Sequence, residues 1–234
     1  MQAPLTRDIS ELAAGAARNG MEAVKGGITA PEGFLAAGVS CGIKKRGRDL
    51  ALILSDRPAS AAGCLTTNRV RAACVDWTAR VLQQGFARAI VVNSGNANCC
   101  MGQRGRRDCR KMAELTARRL KIRPREVLVA STGVIGQPLP MPKVRQGIHQ
   151  AADSLSSRGS LLAADAILTT DTRPKEIAIR FRLGKKPVTV GGIAKGAGMI
   201  APHMAPPPGL CAKGTPAHKP GGGVATLFAF LTTD

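Results

Sequence analysis

Three short runs are apolar at consecutive positions: Leu50-Ala51-Leu52-Ile53-Leu54, Ala89-Ile90-Val91-Val92 and Val127-Leu128-Val129-Ala130. Each is shorter than the roughly 10–12 residues expected of a helix, so they read as strands. Side chains on a strand alternate between faces, and a strand that is apolar at every position has to be covered on both sides. The chain is therefore constrained to a layered fold in which at least one sheet is sandwiched. Two of the runs empty directly into polar, glycine-containing segments, Asn93-Ser94-Gly95-Asn96-Ala97-Asn98 and Ser131-Thr132-Gly133-Val134-Ile135-Gly136. Such a loop at the end of a buried strand is a common place for a binding site. For the Asn93 segment an ordinary Asn/Gly turn is the competing reading.

The remaining segments fit around these strands. Phe34 to Cys41 is β-like and is followed by a basic turn, Lys44 to Arg48. Gly63-Cys64-Leu65-Thr66-Thr67-Asn68 is a small-residue turn leading into hydroxyls and an amide, and Val75 to Leu82 fits either a strand or a short helix. Arg106 to Leu120 has helical spacing, with Met112, Leu115 and Leu120 on one face and basic residues on the other; Pro124 supplies its stop. Met141 to Ser156 is expected as a helix with Pro142 near its start. Leu161 to Leu168 is a further apolar run, ending at Thr169-Thr170-Asp171-Thr172. Ile177 to Leu183 alternates, turns at Gly184-Lys185-Lys186 and returns through Val188 to Ile193, which predicts a hairpin. Without a regular βαβ beat, the pattern predicts an α/β (α+β) layered sandwich rather than a doubly wound sheet. Residues 1–25 hold an Ala-rich amphipathic patch, Ile9 to Ala17, and read as a leader outside the main fold.

Composition narrows the function classes. The formal charge of +19 invites a nucleic-acid reading. Against it stand the absence of Tyr, a single Trp, only five Phe for base stacking, and basic residues scattered without a recognition motif. Solvated faces, or a surface for an acidic partner segment, account better for the charge, and no nucleic-acid partner is expected. No run approaches the roughly 18 apolar residues of a membrane span, and the first thirty residues lack a signal peptide's apolar centre. Seven cysteines form no CxxC pair, and their odd number argues against a closed disulfide framework. A cytoplasmic protein with reduced thiols and no membrane association is the expectation. The three histidines are too dispersed for a metal site, and Lys195-Gly196-Ala197-Gly198 has its lysine ahead of the glycines, unlike a P-loop.

The C-terminal stretch carries the sharpest chemical hint. Ala225-Thr226 places a small residue before a threonine, and Leu227-Phe228-Ala229-Phe230-Leu231 follows as an apolar run. Cleavage between the two would give Thr226 a free α-amine beside its own hydroxyl, and that amine, with an ordinary pKa near ~8, could act as the general base. The plainer reading is that Ala-Thr merely opens a strand.

Seven ordered segments bear on the choice: GGITAPEGF (26–34), TTN (66–68), NSGNAN (93–98), STGVIG (131–136), LTTDT (168–172), GGIAKGAGMIAP (191–202) and ATLFAFLTTD (225–234). Together they resemble the ornithine acetyltransferase family, the arginine biosynthesis bifunctional proteins, whose members cleave themselves into α and β chains. The resemblance implies a layered α/β sandwich with mixed, antiparallel-rich sheets. It also implies acetyl transfer from N2-acetylornithine to glutamate, no cofactor, and acetyl-CoA as a further acetyl donor in some members. Thr226 matches the self-cleavage and catalytic nucleophile, Thr132 and Gly133 the oxyanion-hole pair, and Thr169 and Lys195 substrate-binding positions. Thr170 competes with Thr169 for its role. The αβ pairs are expected to assemble further.

Two departures from the pattern shape the expected domains. In the family, Met-Ala runs almost directly into the threonine, whereas here residues 205–224 intervene, rich in Pro and Gly and without apolar periodicity. They are expected to be a disordered insertion. The resemblance also reads residues 225–234 as only the start of a β chain, which predicts a chain inactive by itself. Residues 26–204 are then the α-chain-like domain. The competing function is an inactive α-chain-like protein that only binds a partner chain.

Overall fold

The computed structural model describes residues 20–196, 204–207 and 226–234. In chain order the elements are β1 (Glu22–Ala23), a 3-10 turn (Gly27–Thr29), β2 (Phe34–Val39), β3 (Leu50–Ser60), β4 (Leu65–Thr66), α1 (Ala73–Leu82) and β5 (Phe86–Asn96). There follow α2 (Gly102–Leu120), a second 3-10 turn (Pro124–Glu126), β6 (Val127–Val134), α3 (Met141–Asp153), α4 (Ser160–Ala166), β7 (Lys175–Leu183), β8 (Lys186–Lys195), β9 (Met204–Ala205) and β10 (Phe228–Thr233).

The three apolar runs lie side by side in one sheet of order β2-β3-β5-β6. β3 shows why they are apolar throughout. Leu50 and Leu52 pack with Met112, Val144 and Ile148 of the helices on one face, while Ala51 and Ile53 pack with Ile28, Ile167 and Ile193 on the other. Each fully buried Leu, Ile, Val or Met side chain of this kind contributes about 1.5–3 kcal/mol. The second face carries α4 and then a second sheet, β1-β7-β8-β10, which is antiparallel throughout. The expected α+β sandwich with antiparallel-rich sheets is the fold observed. α4 seats closely on β2 because Gly38 has no side chain; a Cβ there would lie 1.9 Å from the Leu162 carbonyl oxygen.

One βαβ unit is present after all. β5 and β6 run parallel with α2 as the crossover, pairing Ala89 with Val127 and Val91 with Val129. This leaves β6 as an exposed edge, a liability that folds normally cover. α1 covers it: the Trp77 indole N–H donates to the Val127 carbonyl at 2.9 Å, and the Thr78 hydroxyl bonds both the Val129 carbonyl (2.8 Å) and its N–H (3.1 Å). Of the two readings open for Val75 to Leu82, the helix is the one realised.

Several boundaries differ from expectation for local reasons. α2 stops at Lys121, which takes a left-handed φ of 55°, with the Ile122 N–H bonded back to the Ala117 carbonyl at 2.9 Å. That is a Schellman closure, so Pro124 lies beyond the stop rather than causing it. α3 ends at Asp153 because Ser156 is used elsewhere, exchanging two 3.0 Å backbone hydrogen bonds with Ala36 on β2. Glu22 and Ala23, inside the segment read as a leader, pair with Arg180 and Ile179 of β7. Ala205, the first residue of the expected insertion, pairs with Leu65. Residues 1–19 of the leader and 208–224 of the insertion lie outside the described residues. Among the described residues no helix is long and apolar enough to cross a membrane, and no three His, Cys, Asp or Glu side chains are grouped to hold a metal.

Candidate active site

The Asn93 segment is not a loop. β5 continues through it to Asn96, in parallel register with β6 as far as Gly95, where Ser94 faces Thr132 and Gly95 faces Gly133; the register shifts at Asn96. Several of its polar groups are spent on structure. Ser94 Oγ donates to the Ala166 carbonyl at 2.7 Å, Asn93 Nδ2 to the Asn96 carbonyl at 2.7 Å, and Asn96 Nδ2 to the carbonyls of Gln137 and Pro138 at 3.2 Å each. Buried amides and hydroxyls need such partners. They brace the segment that follows Thr132-Gly133 and tie β5 to the end of α4.

Thr132 is buried in β6, and Gly133 opens at its end with φ +130°. A Cβ on Gly133 would lie 2.3 Å from the Gly95 carbonyl carbon and 2.5 Å from the Asn96 nitrogen, so only glycine fits between the two strands. Both residues line a cleft of about 1450 Å³ bounded also by Thr169, Thr170, Lys195 and Thr226. Six residues singled out from the sequence, the competing Thr169 and Thr170 among them, thus converge from β6, the α4–β7 connection, β8 and the segment before β10. Ala225 lies outside the described residues. Thr169 is half-buried and Thr170 exposed, and both border the cleft, so their competition stays open.

Lys195 ends β8 and is only 4% exposed. Its Nζ donates to the Thr226 carbonyl at 3.1 Å and to the Gly196 carbonyl at 2.8 Å. Burial pushes its ammonium below the ordinary lysine range, the Asp171 carboxylate pulls the other way, and the charge of Lys175 adds to the depression. Asp171 is a site residue to which the sequence reading gave no role. Its Oδ1 accepts from the Gly196 N–H at 2.9 Å and from Lys175 Nζ at 2.5 Å, and its Oδ2 lies 3.8 Å from Lys195 Nζ. Burial raises its carboxyl, but the bonds from Lys175 and Gly196 and the two lysine charges outweigh that and hold it below the usual carboxylate value.

In the sequence Lys44 is only one residue of a basic turn. It lines the cleft, and its Nζ donates to the Leu168 carbonyl at 3.0 Å, fixing the entrance to the Thr169 segment. The turn itself is organised by buried Asp49, whose oxygens accept from the N–H groups of Cys41 (2.7 Å) and Lys44 (3.0 Å). The wall opposite is β10, which pairs antiparallel with β8 from Phe228 opposite Lys195 to Thr233 opposite Val190. The Thr232 hydroxyl anchors it further by donating to the Ile28 carbonyl at 2.7 Å.

Known proteins resemble this chain in sequence and in fold. The sequence pattern of the ArgJ family matches residues 35–234. The arginine biosynthesis bifunctional protein ArgJ of Symbiobacterium thermophilum is 52% identical over 217 residues, which are 92% of this chain and 49% of that protein. ArgJ 1 of Nostoc sp. is 50% identical over 90% of this chain and 47% of its own length. The chain spans about half the length of the curated relatives it matches. Among solved structures, the arginine biosynthesis bifunctional protein ArgJ of Bacillus halodurans superposes with a TM-score of 0.74 at 40% identity, over 79% of this chain and 98% of that one. Ornithine acetyltransferase of Mycobacterium tuberculosis, solved with ornithine bound, does so with a TM-score of 0.74 at 42% identity, over 79% and 100%. A pattern match across most of the chain, relatives at half identity and a shared fold lead to one conclusion: this chain belongs to the ArgJ family.

Proposed function

We propose that the chain provides the nucleophile half of an acetyltransferase that moves acetyl from N2-acetylornithine to glutamate, with Thr226 as nucleophile once the Ala225-Thr226 bond is cut. The observation that carries this reading is the convergence of Thr132, Gly133, Thr169, Lys195 and Thr226 on one cleft, with Lys195 bonded to the Thr226 carbonyl.

In the proposed cleavage the Thr226 hydroxyl attacks the Ala225 carbonyl carbon, the C–N bond breaks as the hydroxyl proton passes to the departing nitrogen, and water hydrolyses the resulting ester to the Ala225 carboxylate and the restored Thr226 hydroxyl. The product is a free α-amine on Thr226. β10 stays paired with β8, so the new chain start remains in the cleft. In transfer, the amine takes the hydroxyl proton as Oγ1 attacks the acetyl carbonyl of acetylornithine. The resulting oxyanion falls to the Thr132-Gly133 donors, a contribution typically worth ~3 kcal/mol per donor. The tetrahedral intermediate collapses with the ornithine amine leaving as it takes up the proton. Glutamate then attacks the threonine acetyl ester through its own amine, and the steps reverse. A buried ammonium at Lys195 and hydroxyls at Thr169 and Thr170 suit amino-acid substrates bearing carboxylates. Acetyl-CoA is a second acetyl donor the same ester chemistry accepts. The two products of cleavage would form an αβ unit that assembles further, as in the resemblance.

The test fuses this chain to the C-terminal remainder of the Symbiobacterium thermophilum relative and measures acetyl exchange between acetylornithine and glutamate. Exchange that Thr226→Ala abolishes supports the proposal. A processed, folded fusion without exchange contradicts it, and favours an α-chain-like protein that only binds a partner.

A further inference from the structure

The Nζ of Lys195, which donates to the Thr226 carbonyl, is flanked on two further sides. On one side the Gly196 carbonyl accepts from Nζ at 2.8 Å, and on the other the Asp171 carboxylate stands 3.8 Å away. Asp171 is itself fixed. It is 5% exposed at its side chain, and its Oδ1 is occupied by the Gly196 N–H and by Lys175 Nζ. Its Oδ2 is buried and accepts no hydrogen bond. A buried carboxylate oxygen is costly to leave unmatched, and the ammonium of Lys195 is the neighbouring charge that compensates it. Asp171 therefore joins three elements: the α4–β7 connection that carries Thr169, the start of β7 through Lys175, and the end of β8 through Gly196 and Lys195.

We propose that Asp171 is a positioning residue that holds Lys195 against the main-chain carbonyl of Thr226 and so orients the nucleophile's backbone, with Lys175 as the competing cation. This rests on the reading of Thr226 as nucleophile. Asp171 does not itself line the cleft and touches no reacting atom; it acts through Lys195. The carbonyl that Lys195 holds is that of Thr226 and not the scissile carbonyl of Ala225. The lysine therefore fixes the rotation of the threonine residue about its own Cα, which sets where both its hydroxyl and its amine point. Orientation of this kind accounts for large factors in rate, because a nucleophile displaced by an ångström spends little time in a reactive arrangement.

The charged groups acting on Lys195 are Asp171, across the β8 end, and Lys175, on β7. Lys44, on the same cleft, is committed to the Leu168 carbonyl. Removing Asp171 deletes the carboxylate's attraction on Lys195 and leaves the repulsion of Lys175, so the lysine should lose its proton more easily. Removing Lys175 should do the opposite. These opposed signs separate a positioning charge from a merely structural carboxylate.

The experiment is a pH titration of Lys195 in the folded 234-residue chain with an amine-reactive acetylating reagent, read by peptide mass spectrometry with exposed Lys186 as internal control. Asp171→Asn is expected to lower the pH midpoint of Lys195 labelling, Asp171→Glu to restore it, and Lys175→Met to raise it, with Lys186 unmoved. A Lys195 midpoint indifferent to both Asp171→Asn and Lys175→Met overturns the proposal. Should Asp171→Asn not fold, Lys175→Met decides alone: no upward shift sinks the idea. In the fusion to the relative's C-terminal half, Asp171→Asn should slow cleavage before Thr226 roughly tenfold, with Asp171→Glu recovering most of the rate. A fusion that never cleaves before Thr226 while the Lys195 midpoints shift as expected counts against the nucleophile reading and leaves the Asp171–Lys195 coupling standing. Normal cleavage with unshifted midpoints does the reverse.

Discussion

Gly133→Ala should be among the most damaging single-methyl additions available to this chain. The residue sits at φ +130°, a conformation that an L side chain rarely adopts, and holding it there costs about 1–3 kcal/mol. The added methyl would also stand 2.3 Å from the Gly95 carbonyl carbon and 2.5 Å from the Asn96 nitrogen. Both are backbone atoms of β5, braced by Asn93 and Asn96, so they cannot swing aside as a side chain would. Overpacking of this kind adds about 1–3 kcal/mol. Taken together the expected loss is about 4 kcal/mol. At roughly 2–4 °C per kcal/mol for a chain of this size, the thermal midpoint should fall by roughly 8–16 °C. Gly136→Ala is the matched control. It shares the positive φ, at +76°, but has nothing within 4 Å of a new Cβ, so it should lose only about 1–2 kcal/mol. Thermal unfolding followed by circular dichroism separates the two. A Gly133→Ala variant that melts no lower than Gly136→Ala would refute the argument that the β5–β6 contact dictates glycine.

Three further expectations follow from named contacts. Thr78→Val keeps the shape of α1 but strips the hydroxyl that serves both the N–H and the carbonyl of Val129, and should cost about 1–3 kcal/mol in urea unfolding; no change would mean that water covers that edge equally well. Asp171 has its carboxyl held below the ordinary value of about 3.9, so its contribution is full above that pH and is lost as pH falls through the lower folded-state value; Asp171→Asn should therefore narrow its stability deficit between pH 5 and pH 2, and a deficit constant over that range would contradict the sign. Burial pushes the Cys74 thiol up to about 11, and burial, then a hydrogen bond with Asp49, pushes Cys41 up to about 12, so iodoacetamide at pH 8 should label exposed Cys64 well before either, as peptide mass spectrometry would show.

The strands were legible in the sequence wherever burial on both faces left an unbroken apolar run, as in β3, β5 and β6. The place where β5 ends was not, because Asn93 and Ser94 are buried through specific bonds to the Asn96 and Ala166 carbonyls, which composition cannot show. The parallel β5–β6 pairing was likewise hidden, since it depends on where α2 returns the chain. Residue types at the candidate site could be matched from Thr132, Gly133, Thr169, Lys195 and Thr226. Asp171 stood in plain sight within the same LTTDT segment, yet its role depends on a contact with Gly196 that is 25 residues away. Lys44 is similar: in the sequence it is one of several turn lysines, and only the approach of Leu168 distinguishes it.

The central claim is that Thr226 is a self-processing nucleophile, and intact-mass spectrometry of the fusion to the relative's C-terminal half tests it most directly. Two species are expected, one ending at Ala225 and one beginning at Thr226, and a single uncut species for Thr226→Ala. A fusion that folds but stays whole, a boundary at another bond, or cleavage that persists in Thr226→Ala would contradict it.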